Sequence, residues 1–320
     1  MTRWGILATG GIAAKFAADL RHAPGAELVA VGSRSVEAAK AFAERFDVPR
    51  AHGSWEALAA DPEVDVIYVA TPHSAHAAAA LTCIRAGKPV LCEKPVTLDR
   101  ASAAELVDAA RAAGVFFMEA MWTRANPTVR AVLDLIADGA IGTVTTVAAD
   151  FGIYGPFPSS HRLRARELGG GALLDLGVYP VTMAHLVLGA PDHVRSWAKI
   201  GPEGTDENTG IVFGYDSGAV ATLTCGLIGT TPTRATITGT AGRIELPTFF
   251  MADRYVLHRP GTDPVEVADP HPGAGYQFEA LEVQRCLAAG LLESPLVPHA
   301  TTLEVMGLLD EVRAQIGVTY

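Results

Sequence analysis

The first residues with chemical meaning are Ala8-Thr9-Gly10-Gly11-Ile12-Ala13, directly after an apolar run at 4–8 and opening a helical pattern at 12–20. Such a loop turns tightly and brings its backbone against a pyrophosphate, which then faces the helix N-terminal amides. Gly10 permits the close approach, and small Ala13 lets the helix pack on the strand. Thr9, Gly10, Gly11 and Ile12 are therefore candidate dinucleotide contacts. The GxGxxG/A pattern wants glycine first, and this chain has Ala8. At the end of the next apolar run, 28–32, NAD sites often place Asp or Glu for the ribose 2′-OH. Here Gly32-Ser33-Arg34-Ser35 stands instead. A guanidinium between hydroxyls suits a 2′-phosphate. Ser33 and Arg34 thus point to NADP ahead of NAD. The competing reading is a solvated arginine before a serine-capped helix.

A second segment can move protons. Residues 89–92 read as a buried strand, and Glu93-Lys94-Pro95 directly follows its end. Open parallel sheets bind ligands at the C-terminal ends of their strands. Lys94 is one of only five lysines. Beside a nicotinamide its ammonium can stabilise a developing alkoxide or pass a proton. Taken alone, the pair fits a surface Glu–Lys contact equally well. His73 and His76 also stand at a strand end, but no third ligand accompanies them, so no metal is expected.

Positioning these loops requires a particular scaffold. Apolar runs without alternation at 4–8, 28–32, 64–70, 89–92 and 116–119 are separated by helical patterns at 12–20, 36–46, 74–86 and 102–113. That is a parallel sheet covered on both faces. Ser102 and Glu105 have capping-box spacing for the last of those helices. The pattern changes near residue 125. A helix at 127–137 precedes β-branched runs at 143–151, 194–200, 210–213, 219–225, 234–238 and 255–259, with turn signals between several of them. Helical patterns at 172–188, 278–289 and 301–316 accompany these strands. The expected fold is α/β: a Rossmann domain, 1–124, binding the dinucleotide, then an α/β domain, 125–320, with an open, predominantly antiparallel sheet for substrate binding and oligomerisation.

Bulk properties remove other classes. A net charge of −10 argues against a nucleic-acid partner. The apolar runs are short, which argues against a membrane span. Lys15 and Asp19 interrupt the N-terminal apolar stretch, which argues against a secretion signal. Cys83, Cys92, Cys225 and Cys286 are widely spaced, as expected of reduced thiols in a cytoplasmic protein.

The glycine loop, Ala70-Thr71-Pro72-His73 with His76, Glu93-Lys94-Pro95, and the segment Gly169-Gly170-Gly171-Ala172-Leu173-Leu174-Asp175-Leu176-Gly177-Val178-Tyr179 together resemble the glucose–fructose oxidoreductase/inositol dehydrogenase (Gfo/Idh/MocA) family. Glu119-Ala120-Met121-Trp122-Thr123-Arg124 and Tyr179 resemble its branch of dihydrodiol and NADP-dependent D-xylose dehydrogenases. The resemblance implies an oxidoreductase using NADP on a carbohydrate or diol, assembled as a homodimer or homotetramer through the C-terminal sheet. It places Thr71, Pro72, His73, His76 and Glu93 beside the cofactor with Lys94.

Asp175 and Tyr179 are four residues apart and would share one helix face, although Pro180 disfavours a helix interior. In the reaction expected of this family, Tyr179 exchanges the hydroxyl proton, Lys94 supports its phenolate, and Asp175 orients the substrate or Lys94. Alternatively Lys94 moves the proton and Tyr179 only binds substrate. Trp122, Phe151 and Phe278 are candidates for an apolar wall against a ring-shaped substrate. Arg124 and Arg162 are candidates for its hydroxyls. A non-catalytic dinucleotide-binding sensor or scaffold is the reading from another class. It would keep the glycine loop and lose Lys94, Asp175 and Tyr179, and all three are present.

Overall fold

The computed structural model describes residues 1–320. Strand and helix alternate through β1 (Thr2–Leu7), α1 (Gly11–Leu20), β2 (Ala26–Gly32), α2 (Val36–Phe46), β3 (Arg50–His52), α3 (Trp55–Ala59), β4 (Val66–Val69), α4 (His76–Arg85), β5 (Val90–Glu93), α5 (Arg100–Ala113) and β6 (Phe117–Ala120), ending in the short α6 (Trp122–Ala125). The strands form one parallel sheet in the order β3-β2-β1-β4-β5-β6. Every residue of β4, β5 and β6 is buried, which is why their sequences show apolar runs rather than alternation. The order reverses between β1 and β4, so the loops after β1, β4 and β5 gather at a topological switch point. Ser35 caps α2 by accepting from the Ala38 N–H at 3.2 Å. The cap of α5 is Asp99, accepting from the Ser102 N–H at 2.8 Å, and not the expected Ser102. The cap lies three residues earlier than the capping-box spacing suggests, so Ser102 lies inside the helix's first turn.

The chain continues with α7 (Pro127–Ala137), β7 (Val144–Gly152), α8 (Val178–Leu188), β8 (His193–Ile200), β9 (Asp206–Gly214), β10 (Val220–Gly226), β11 (Ala235–Gly239), β12 (Gly242–Leu246), β13 (Arg254–His258) and β14 (Val265–Ala268). These strands form an eight-stranded sheet, β14-β13-β12-β11-β7-β10-β9-β8, antiparallel except where β10 meets β7. In β10, Ala221, Leu223 and Cys225 face inward while Val220, Thr222 and Thr224 face solvent. α8 packs on the covered side against β7 and β10. The stretch Arg166–Leu188 is long and apolar enough to cross a membrane, with a mean hydropathy of 1.4, but 83% of its apolar window is buried inside the protein. It is a core segment, longer than the short apolar runs expected from the sequence.

α9 (Gln277–Ala288) and α10 (His299–Ile316) complete the chain. One compact unit is Met1–Ala125 with His271–Leu303, and the other is Asn126–Pro270 with Glu304–Tyr320. The first segment of the first unit thus ends one residue from the expected 124, and no pattern in the sequence shows that the chain returns to that unit at His271. Polar contacts hold it there. Asp19 accepts backbone N–H groups from 274–276, the Phe117 N–H donates to Leu292 O at 3.1 Å, and His299 Nε2 sits 2.8 Å from Phe117 O.

Candidate active site

In the first unit the glycine loop has the shape its composition suggested. Ala8 has φ of 108°, so this alanine holds a conformation that glycine adopts freely. Left-handed backbone costs an L-residue roughly 1–2 kcal/mol. The loop holds this strained turn with its Ala8 N–H bonded to Gly32 O at 2.8 Å. A Cβ added at Gly10 or Gly11 would meet nothing within 4 Å, so open space lies over the loop. No side chain caps α1 and no acidic residue stands in its first turn. The α1 amides therefore remain available to an anion, which fits a dinucleotide pyrophosphate. Ala13 is wholly buried, as close helix–strand packing requires. Thr9 and Ile12 are half-buried along the same loop.

At the end of β2, Arg34 is exposed and forms no hydrogen bond or ion pair with the chain. Ser33 Oγ accepts from the Ser35 N–H at 3.4 Å. Ser35 Oγ donates to Glu37 at 2.8 Å, and a backbone hydrogen bond first, then this one, hold the Glu37 carboxyl below its usual range. Glu37 is thus engaged by Ser35, and the Arg34 guanidinium is free to meet a phosphate.

The loops after β4 and β5 are joined by a buried histidine. The His76 ring nitrogens each lie 2.8 Å from a backbone carbonyl, Nδ1 from Pro95 O and Nε2 from Thr71 O. Burial pushes its pKa down to about 3, so the neutral ring donates to one of these carbonyls at a time. His76 therefore braces the loop after β4 against the loop after β5. Thr71 is buried with its hydroxyl lacking a hydrogen-bond partner, Pro72 is exposed, and His73 packs edge-on to His76. Glu93 is buried, accepting from the Tyr68 hydroxyl and from the Lys94 N–H. Lys94 is half-buried and precedes a cis peptide to Pro95.

Two carboxyls and an aromatic pair lie deeper in this unit. Glu119 accepts from the Val96 N–H at 3.1 Å and from the Thr302 hydroxyl at 3.0 Å, and burial raises its pKa. Trp122 stacks on Tyr276 with centroids 4.2 Å apart and planes at 14°. Phe278 is half-buried and edge-on to His271, and Arg124 is buried. Glu279 is 1% exposed with neither oxygen hydrogen-bonded. Tyr276, Glu279 and Asp19 were not singled out from the sequence. Their partners lie too far along the chain for any local spacing to reveal them.

In the second unit, Asp175 and Tyr179 do not lie on one regular α-helix. Leu173–Gly177 is a π turn, closed by the Val178 N–H reaching Leu173 O, and α8 begins after it. Pro180 supplies no N–H to continue an α ladder backward, and the wider turn accommodates it. Gly177 makes the turn's close approach to β10 possible, since a Cβ there would lie 2.8 Å from Cys225 Sγ. Asp206 anchors the segment by accepting from the Leu173 N–H at 2.8 Å and the Thr209 hydroxyl at 2.6 Å, and burial raises its pKa. Asp175 is buried and paired with exposed Arg162, whose Nη1 lies 2.9 Å from Oδ1. Tyr179 packs with Phe151 and Phe250, each ring centroid 5.5 Å away. The structure brings Arg162 to Asp175 and Phe151 to Tyr179. It adds Phe250, which the sequence reading missed.

Known proteins agree with this architecture. Residues 2–121 match the model of an oxidoreductase family with an NAD-binding Rossmann fold, and 129–245 match the GFO/IDH/MocA C-terminal domain. The chain belongs to this family, and its class is that of an NAD(P)-dependent dehydrogenase. It is 37% identical to trans-1,2-dihydrobenzene-1,2-diol dehydrogenase of Mus musculus over 332 residues, covering 99% of this chain and 98% of the relative. The Homo sapiens enzyme of that name is 35% identical with the same coverage. A 3-ketoreductase from Actinomadura kijaniata, solved with NADP and TDP-benzene, superposes with a TM-score of 0.87 at 28% identity, covering 98% of each chain.

Proposed function

We propose that the chain is an NADP-dependent dehydrogenase taking hydride from a secondary alcohol carbon of a sugar, polyol or cyclic trans-diol. The observation that carries the cofactor reading is Arg34, exposed and unpaired beside Ser33 at the end of β2. Arg34→Ala is expected to raise the KM for NADP about 10–100-fold, the loss of charged hydrogen bonds worth ~1.5–3 kcal/mol, with little change for NAD. An unchanged NADP/NAD ratio would overturn it.

When bound, NADP supplies a nicotinamide that accepts the hydride. The chain's own residues must take the hydroxyl proton and hold the alcohol. In this reading Tyr179 takes the proton, and the Lys94 ammonium stabilises phenolate and alkoxide character. The alternative gives the proton to Lys94 and leaves Tyr179 to bind substrate. Asp175 orients substrate through Arg162, its ion-pair partner. Trp122, Phe151 and Phe278 are the candidates for an apolar wall against a ring-shaped substrate; Tyr276 stacks on Trp122 in the first unit, and Phe250 packs on Phe151 in the second. A cyclic diol ranks level with an aldose such as D-xylose in this reading, and the diol is what the relatives in Mus musculus and Homo sapiens are named for. Incubation with NADP and a panel of pentoses, hexoses, inositols and aryl diols, followed by NADPH absorbance, tests the activity. A silent panel with tight NADP binding would establish the sensor reading instead.

We further propose that the solvent face of the eight-stranded sheet joins copies into a homodimer or homotetramer. Trp197 is 78% exposed on this sheet, with Val212 and Val220 also exposed. Trp197→Glu is expected to reduce the mass measured by light scattering. A monomeric parent protein at micromolar concentration would sink the idea.

A further inference from the structure

Asp19 sits near the C-terminal end of α1, the helix that the glycine loop opens, and it is buried. Its Oδ2 accepts three consecutive backbone N–H groups, from Ala274 at 2.8 Å, Gly275 at 2.9 Å and Tyr276 at 3.0 Å. Gly273 and Gly275 have φ of 73° and 108°, which turns these amides toward one point. A run of converging amides is an anion-binding concavity. Here the anion is the chain's own carboxylate. Gly273 is pressed so close that a Cβ there would collide with Asp19. Proton or hydride transfer uses none of these groups, yet the residues that follow carry the aromatic wall. Tyr276 stacks on Trp122, and Phe278 meets His271. Gln277 braces the same turn, accepting from the Gly275 N–H at 3.1 Å and donating to Pro272 O at 2.8 Å.

We propose that Asp19 is a positioning residue that fills the 273–276 amide concavity and thereby fixes the Trp122–Tyr276 stack and Phe278 for recognition of ring-shaped substrates. The claim about substrate rests on the dehydrogenase reading above. The link from Asp19 to the aromatic stack does not.

A carboxylate seated on three amides can be removed and returned from solution. Asp19→Ala is expected to raise the KM for the accepted ring substrate about tenfold, the loss of a charge-assisted hydrogen bond of ~1.4 kcal/mol or more. Turnover at saturation and the Kd for NADP should stay within about twofold of the parent, because α1 keeps its N-terminal amides. Added acetate should lower the raised KM and leave the parent unaffected. Gly273→Ala, which pushes the carboxylate away from the amides, should raise KM without an acetate response, since the new methyl group and the displaced carboxylate leave no room for acetate. Asp19→Asn retains one acceptor oxygen and should fall between the parent and alanine. It serves as the test protein if the alanine variant does not fold. The near-ultraviolet circular dichroism band that Trp122→Phe removes reports the stack without substrate. That band should weaken in Asp19→Ala and recover with acetate. An unchanged KM in Asp19→Ala, or a band and KM that ignore acetate, overturns the proposal. A silent substrate panel alongside an acetate-responsive band overturns the dehydrogenase reading and leaves the link from Asp19 to the stack standing.

Discussion

Tyr179→Phe is expected to lower kcat by roughly 10²–10⁴-fold, the usual loss when a positioned proton-transfer group is removed. The substitution deletes one hydroxyl. The ring remains packed between Phe151 and Phe250, and the π turn before it remains anchored by Asp206. A rate loss on this scale with unchanged NADP affinity and thermal stability therefore reports chemistry and not folding. Lys94→Ala should produce a loss of similar order, because it removes the ammonium that stabilises phenolate and alkoxide character. The two variants also separate the alternatives for the proton. The residue whose removal abolishes the pH dependence of kcat/KM is the acid–base group, and the other only supports it. Near-normal turnover in both variants, with NADP still bound, would falsify the assignment of either residue to catalysis.

The legible part of this protein is the part whose physics is local. β4 and β5 announce themselves because strands buried on both faces must be apolar throughout. The glycine loop was readable despite Ala8, because position after β1 and before α1 constrains it more than composition does. The structure shows the cost of that substitution as a positive φ on an alanine. Arg34 was readable because its place at the end of β2 follows from counting strands. Three strands were missed for identifiable reasons. β3 has three residues, Gly242 reads as a turn although β12 starts there, and every residue of the edge strand β14 is exposed, so no alternation marks it. The return of His271–Leu303 to the first unit was hidden because it depends on contacts such as Asp19 with Ala274, separated by 255 positions. The π turn was hidden as well. Asp175 and Tyr179 at a spacing of four look helical, and only the anchoring by Asp206 and the close approach of Gly177 to Cys225 reveal the wider turn.

Glu279→Gln is expected to gain stability relative to the parent as pH rises above about 4, the ordinary carboxyl range. Glu279 is 1% exposed, and neither of its oxygens has a hydrogen-bond partner. Burial first, then the negative charges of Glu93 and Asp19, push its pKa well above the ordinary 4.5. Tyr68, whose hydroxyl donates to Glu93, belongs to the same buried neighbourhood and is itself pushed up by burial. In the unfolded chain the carboxyl ionises normally, while the folded protein keeps the proton. Below the unfolded value both states are protonated, and the neutral acid contributes its full stability. Above it only the unfolded state gains from releasing the proton, so the parent loses about 1.4 kcal/mol per pH unit until the folded value is reached. Glutamine resembles the protonated acid in shape and does not titrate, so the difference between the two proteins must grow with that slope. Urea unfolding of both at several pH values from about 4 to 8 measures it directly. The slope is the readout, because any fixed penalty for fitting an amide beside Glu93 shifts both ends equally. Parallel stability curves would show that Glu279 is ionised in the folded protein, and that its unpaired oxygens have found a cation or donor that burial alone does not predict.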